Sequence, residues 1–493
     1  MTNRLRFGTA GLRGPLGEGP LRMNVQQVEL AAIAISRWLP AASTVIIGRD
    51  ARHGSLDFAR VTARVLTEAG HQVRQFEDPV PTPVVAFVVA TTEAAAGVMV
   101  TASHNPATDN GYKVYSGDGG QILPDDAAVI EHIMADSPWP TSVDVTSPEG
   151  VESLGQPEVN AYIEAIVTAV RASRPEADET LGVRIAYSAM HGVGGEIFRR
   201  MLTRCGHVVY HVVEQHAPNP DFPTAPFPNP EEPGTLDLSI ALADEVDADI
   251  ILVNDPDADR LAVAVKRDRG WERLTGDQIG VLLGWHVLES TTGPRTVASS
   301  IVSSTLLAKL AAARRVRHDS TLTGFKWLAR AGSTQSPLVY AYEEALGYSV
   351  VTSILDKDGI SAGLAFADLV SSLKGQGRTV DDLLTDLGTE FGHHLTAQVS
   401  VRFDGDDSMT QMTNVMANLR EECPQRLGLF DVVDVVDLNQ QGGELPTANV
   451  LIFNLDGGRL IVRPSGTEPK IKAYLKVIDH DLEQAHGLSL IHI

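Results

Sequence analysis

Ile250-Ile251-Leu252-Val253-Asn254-Asp255-Pro256-Asp257-Ala258-Asp259-Arg260 joins an apolar run to three alternate carboxylates. The run predicts a buried strand, and carboxylates this close are a liability unless a cation sits among them. A hard divalent ion, Mg²⁺ by preference, takes oxygen ligands and leaves a position for a phosphate. Far upstream, Thr101-Ala102-Ser103-His104-Asn105-Pro106 offers a hydroxyl in a loop that cannot be helical at Asn105, because the residue before proline is pushed to extended conformations. Together the two stretches predict that Ser103 carries a phosphoryl group whose oxygen completes the metal site.

Composition limits what can surround them. A chain of 493 residues is too long for one core, and usual domain sizes suggest about three to four domains. The formal net charge of -23 favours solubility and argues against a nucleic-acid-binding face. A site for an anionic ligand must therefore gather basic side chains locally. Cys205 and Cys423 are the only cysteines, so there is neither a disulfide framework nor a CxxC zinc signal. Met1 to Phe7 contains no apolar signal core, and no apolar run is long enough for a bilayer. A cytoplasmic protein with no membrane partner is expected.

Strands and helices alternate outward from the two loops. A helix is predicted from Asn24 to Leu39, a strand at Thr44 to Gly48, a helix ending at Ala69 and a strand entered through Gly70-His71-Gln72-Val73. The arrangement recurs from Arg184-Ile185-Ala186-Tyr187-Ser188 to Cys205-Gly206-His207-Val208-Val209, and again from Thr296 through a helix at Leu306 to Ala313. Such βαβ units predict an α/β protein with three related domains. After Phe391 the character changes: an alternating Leu395 to Phe403, a helix over Met409 to Leu419 and strands around Asp456-Gly457-Gly458 predict a smaller C-terminal α+β domain. The expected limits are 1–150, 151–269, 270–393 and 394–485, with 486–493 as a tail. Ser137 to Gly150 reads as the first linker, and the proline-rich residues 215–234 as a surface excursion.

Other motifs narrow the chemistry. The G-x-S-x-G elbow of serine hydrolases is missing around Ser103. An EF-hand beginning at Asp255 would want glycine at Arg260 and glutamate at Lys266. No Walker phosphate loop occurs, and Gly192-Val193-Gly194-Gly195 alone is too weak for a dinucleotide. Phe7-Gly8-Thr9-Ala10-Gly11-Leu12-Arg13-Gly14 lets backbone approach a ligand and aims Arg13 at an anion, although a simple glycine-rich turn would read the same. Glu343-Glu344-Ala345-Leu346-Gly347 can accept hydrogen bonds from sugar hydroxyls. Arg463-Pro464-Ser465-Gly466-Thr467-Glu468-Pro469 has the parts of an anion-binding nest. Lys326 and Lys357 are loop lysines, each of which alone would more often be a solvated charge.

With TASHNP, DPDADR, the glutamate pair and RPSGTEP in order, the chain resembles the α-D-phosphohexomutases, the phosphoglucomutase and phosphomannomutase superfamily, from Arg13 to Lys470. The resemblance implies four domains around a central cleft, each contributing one loop. Ser103 would be the phosphorylated nucleophile, and Asp255, Asp257 and Asp259 would hold Mg²⁺ with its phosphoryl oxygen. Arg13, His104 and Lys113 would line the cleft, Lys113 as general acid/base. Arg260, Thr323, Lys326 and Lys357 would contact ligand, and the Glu343/Glu344 loop would read the sugar. Arg463, Ser465, Gly466 and Thr467 would grip the non-reacting phosphate.

The implied reaction is interconversion of a hexose 1-phosphate and 6-phosphate, with glucose first. It would pass through glucose 1,6-bisphosphate, in a monomer or homodimer. Ala345 replaces a serine common in relatives, and E-E-A-x-G followed by D-K-D-G resembles the branch with phosphopentomutase and phosphoglucomutase activities, so phosphomannomutase and phosphopentomutase stand as alternatives. A metal-dependent sugar phosphatase and an inactive sugar-phosphate binder are the readings from other classes. Relatives continue through a closing helix where Gly487 to Ile493 fits none, so a shortened or non-native ending is expected.

Overall fold

The computed structural model describes residues 4–6, 11–172, 182–405, 407–440, 445–465 and 469–479. The expected tail at 486–493 lies outside them. Four sheets follow one another along the chain. In the first, Thr44–Arg49 lies parallel between Gln72–Phe76 and Ala96–Val100, and Asp109–Ser116 joins antiparallel to link Leu12–Pro15. Val45 and Ile47 pack with the helices Val25–Trp38 and Ser55–Glu68, while Ile46 faces the helix Thr82–Thr91. Coverage of both faces is why this strand reads as continuously apolar. Asn24, just ahead of the first helix, accepts from the Gln27 amide at 2.9 Å, the cap its short polar side chain favours.

The decisive run behaves as read. Ile250–Val253 is buried throughout, parallel to Arg184–Ser188 and antiparallel to Ala262–Arg267, so the acidic loop turns between two strands of the second sheet. In the third sheet Leu338–Glu343 pairs back on Gly347–Ser349, which makes the segment at Glu344 a hairpin tip. The fourth sheet is antiparallel throughout, and Met412 and Met416 of the helix Ser408–Glu421 pack on Leu451 and Phe453. The chain is thus three α/β units with mixed sheets followed by a smaller α+β unit.

Side chains tie the units together. Arg330 pairs with Asp118 at 2.9 Å, Tyr115 donates to Asp356 at 2.9 Å, and Arg459 donates to the Ile301 carbonyl at 2.7 Å. The proline-rich stretch runs over the surface, with Asp221, Pro223, Pro226 and Phe227 exposed, but Phe222, Ala225 and Asn229 are buried and anchor it. It closes on the first unit, with Asp221 bonded to His53 at 2.7 Å and the Phe222 ring 4.8 Å from the Arg52 guanidinium. Among the described residues no helix is long and apolar enough to cross a membrane.

Candidate active site

The serine loop leaves the buried strand Ala96–Val100 and reaches the metal loop of the second unit. The Ser103 amide donates to Thr101 Oγ1 at 2.8 Å, and the Ser103 hydroxyl donates to Asp255 Oδ2 at 2.9 Å. It also shares a 3.2 Å bond with His104 Nδ1. Ser103 holds a left-handed φ of 53° and Ala258, in the facing loop, one of 57°. Such conformations cost about 1–3 kcal/mol and persist where surrounding contacts over-determine them. Arg13 donates to Asn105 Oδ1 at 3.1 Å, which puts its guanidinium beside the same loop.

Asp255, Asp257 and Asp259 are all fully buried, and one oxygen from each lies within 4.8 Å of the others. Among the described residues no other group of three or more His, Cys, Asp or Glu side chains converges this way. Asp255 Oδ1 accepts from the Arg260 amide at 3.0 Å, which folds the loop on itself, and Asp257 Oδ2 accepts from Thr82 Oγ1 at 2.6 Å. The backbone must also come close: a Cβ on Gly192 would stand 2.3 Å from the Pro256 carbonyl, and one on Gly359 would stand 2.1 Å from that of Arg260. Gly192 and Gly194 therefore serve packing against the acidic loop, and Gly195 against His216. No dinucleotide is needed to explain them.

Asp257 Oδ1 and Asp259 Oδ1 are buried and accept no hydrogen bond. Orphaned carboxylate oxygens are costly unless a cation meets them, and an all-oxygen donor set suits a hard ion such as Mg²⁺. The residues therefore fit the metal implied by their spacing. Burial and the neighbouring Asp259 and Asp257 carboxylates push Asp255 well above the ordinary value. Burial pushes Asp259 up too, but Lys113 and Lys357 outweigh it and hold the group below the ordinary value.

The local basic cluster demanded by the acidic chain is present. Lys113 Nζ lies 2.8 Å from both Asp257 and Asp259, and Lys357 Nζ 2.8 Å from Asp259. Burial lowers the Lys113 pKa, but the two carboxylates more than offset this and leave it raised. Burial, then the guanidinia of Arg260 and Arg13, hold His104 well below its ordinary value, so its imidazole is neutral. Lys357 is delivered by a loop pinned on both sides: Asp356 accepts from Tyr115 and Gln121 at 2.9 and 3.0 Å, and Asp358 accepts from Tyr162 at 2.9 Å.

The glutamate pair divides. Burial raises Glu343, which lies in the field of Lys357 and Arg260. Glu344 turns into the third unit, where its Oε2 accepts from Ser300 Oγ at 3.2 Å and its amide donates to Ser303 Oγ at 3.1 Å. Glu343 lies in the field of Lys357 and Arg260, whereas Glu344 lies in that of Arg463, so the two expected sugar-loop glutamates meet different basic groups. The hairpin tip sends consecutive side chains in different directions.

Burial, then Glu343 and Asp277, push Glu344 from 4.5 to about 7. A raised carboxyl stabilises the fold below its ordinary value, and that contribution is lost as pH rises through the folded value. Thermal unfolding followed from pH 4.5 to about 7 is therefore expected to weaken less in Glu344→Gln than in the parent; equal slopes would contradict this.

Arg463 is half-buried on the strand Gly458–Pro464, paired in register with Lys472, and its Nη2 donates to Tyr474 Oη at 3.4 Å. Its field reaches Glu344, so Arg463 faces the hairpin tip that carries the glutamates. The Ser465 amide donates to the Lys470 carbonyl at 2.8 Å. The expected ligands Gly466 and Thr467 lie outside the described residues. Lys326 is buried with its ammonium 5.9 Å from the Trp327 ring centroid, and Thr323 stands just before its short helix, so both belong to one loop of the third unit. Thr82 and Arg52 support the site without having been singled out; a buried threonine between prolines carries no signal on its own.

Comparison with known proteins gives this arrangement a context. Residues 4–140, 160–270, 275–391 and 400–485 match, in order, alpha/beta/alpha domains I, II and III and the C-terminal domain described as Phosphoglucomutase/phosphomannomutase. A probable phosphomannomutase of Haemophilus influenzae is 40% identical over 478 residues, 94% of each chain. A phosphopentomutase of Mus musculus is 34% identical over 96% of this chain and 84% of its own. A phosphoglucomutase of Staphylococcus haemolyticus is 32% identical over 97% and 91%. Among solved structures, a putative phosphomannomutase from Thermus thermophilus shares the fold with a TM-score of 0.76 at 22% identity, over 98% of both chains.

Proposed function

We propose, from the premise that this chain belongs to the phosphoglucomutase/phosphomannomutase family, that it interconverts glucose 1-phosphate and glucose 6-phosphate through phospho-Ser103. Members of that family are phosphotransferase isomerases, and this chain is a phosphosugar mutase. A sugar phosphatase is not supported. The observation that carries the reading is the 2.9 Å contact between the Ser103 hydroxyl and Asp255, beside two carboxylate oxygens that lack partners.

Asp255, Asp257 and Asp259 would hold Mg²⁺, which when bound neutralises charge on the transferring phosphoryl group. The chain's own groups do the rest. Ser103 gives its phosphoryl group to a free hydroxyl of the sugar monophosphate. A bisphosphate forms, turns in the cleft, and returns its other phosphoryl group to Ser103. In the return step Ser103 is a free hydroxyl; once it turns its proton from Asp255 to Nδ1 of neutral His104, 3.2 Å away, the imidazole in the tautomer that leaves that nitrogen unprotonated can take the proton as the oxygen accepts the phosphoryl group. Lys113, held as an ammonium by two carboxylates, has a proton to give, which favours the acid half of its expected role. Arg13, Arg260 and Lys357 supply positive charge around the reacting phosphate, with Thr323 and Lys326 from the third unit's loop, and Glu343 reads the sugar hydroxyls. Arg463 and Ser465, with Gly466 and Thr467, hold the other phosphate. The domain limits 1–150, 151–269, 270–393 and 394–485 and a cytoplasmic location belong to the same proposal.

The names of the relatives keep mannose and pentose phosphates in play, and Ala345 removes one hydroxyl from the sugar loop. Incubation with glucose 1-phosphate, Mg²⁺ and a trace of glucose 1,6-bisphosphate should yield glucose 6-phosphate. Release of inorganic phosphate without isomer formation would contradict the reading. Rates on mannose and ribose phosphates below that on glucose phosphate are expected, and the reverse order would replace the sugar. Arg463→Ala removes a charge-assisted hydrogen-bonding group worth about 1.5–3 kcal/mol, so KM should rise by about 10–100-fold. An unchanged KM would mean that another group grips the phosphate.

A further inference from the structure

Arg52 has no part in the roles above, yet its guanidinium lies directly beneath the serine loop. Its Nη2 donates to the carbonyls of Ser103 at 2.6 Å and Asn105 at 2.5 Å, and its Nη1 donates to those of Pro106 at 2.8 Å and Asp109 at 3.1 Å. Nε faces Asp50 Oδ2 at 3.3 Å. Asp50 is itself fixed, because its Oδ1 accepts from the Arg52 amide at 2.9 Å and from Ser55 Oγ at 2.6 Å. The ring of Phe222, from the second unit, closes the other side at 4.8 Å. With 4% exposure, Arg52 is sealed away from any substrate.

We infer that Arg52 is a positioning residue for phosphoryl transfer: clamped between Asp50 and Phe222, it holds four carbonyls of the serine loop and so sets where the Ser103 oxygen points. The inference rests on the mutase reading above. Ser103 sits in the left-handed region, a conformation that lasts only where neighbours over-determine it. A planar fork with five donors can hold several acceptors in fixed directions, whereas a lysine ammonium is a single point on a flexible stem. The four carbonyl oxygens that point at Arg52 are also turned away from the anionic group that Ser103 would carry. Phe222 makes the proline-rich segment the outer wall of this support, which gives that burial a purpose.

Arg52→Lys keeps the charge and loses the fork. A misplacement of about 1 Å in a reacting group can cost about 100-fold, so kcat should fall by about that factor. KM for glucose 1-phosphate and the Mg²⁺ requirement should stay close to the parent values, since neither ligand touches Arg52. A second readout follows the phosphoryl group of the enzyme charged with glucose 1,6-bisphosphate. A misaimed phospho-Ser103 loses more of it to water, which leaves the serine hydroxyl and inorganic phosphate, so phosphate released per sugar turnover should rise. Phe222→Leu leaves every hydrogen bond of the loop in place and should give a smaller fall in kcat, again without a change in KM. It decides the matter if Arg52→Lys does not fold. An unchanged kcat in folded Arg52→Lys, or in Phe222→Leu where that variant decides, would overturn the inference, as would a rise in KM alone. An inactive parent enzyme would instead overturn the mutase reading.

Discussion

Ser103→Ala is expected to fold normally and to lose nearly all turnover. The substitution removes one oxygen from a side chain that is 2% exposed, and the loop keeps its ties to Arg52. What disappears is the atom that faces Asp255 at 2.9 Å and His104 at 3.2 Å. No other described hydroxyl bridges the serine loop to the acidic triad. Loss of a covalent nucleophile costs on the order of 10⁴-fold or more. The assay is conversion of glucose 1-phosphate in the presence of its bisphosphate, run beside a thermal unfolding curve. Ordinary activity in this variant would rule out the phosphoserine route.

Asp259→Asn should be nearly as severe, for a different reason. Asp259 Oδ2 meets two ammonium groups, Lys113 and Lys357, each at 2.8 Å, and its Oδ1 is one of the orphaned oxygens. An amide removes the closest carboxylate to Lys357, one of the two that hold Lys113, and one of three candidate ligands for the metal. Stranding buried cations costs about 3–5 kcal/mol, so the variant should melt earlier than the parent. Calorimetric titration with Mg²⁺ should show binding weakened by at least about 100-fold, and kcat should fall by about 10²–10³-fold. Mg²⁺ binding equal to the parent's would place the metal elsewhere.

The parts of this site that could be read in the chain are those written locally. The Ile250–Val253 strand with its acidic loop, the serine before His104 and Pro106, and the arginine of the last loop each carry their signal within a few residues. The parts that escaped are made by topology. Thr82 reaches Asp257 across 175 positions, and Tyr115 reaches Asp356 across 241. Arg52 lies within Arg49-Asp50-Ala51-Arg52, which marks a strand end and says nothing of the loop it will support 51 residues later. The proline-rich stretch keeps its surface course, but proline reports turns and not burial, and so gives no sign that Phe222 is buried against Arg52 of the first unit. Glu344 differs from Glu343 because a hairpin tip decides direction, which composition cannot show.

The account turns on a phosphoryl group held by Ser103. The most direct test charges the protein with glucose 1,6-bisphosphate labelled in its phosphates, in the presence of Mg²⁺, then identifies the labelled peptide and chases with unlabelled glucose 1-phosphate. Label should appear on the peptide carrying Ser103 and pass into the sugar bisphosphate pool during the chase. Sugar phosphates that interconvert at full rate while Ser103 never carries label would contradict it.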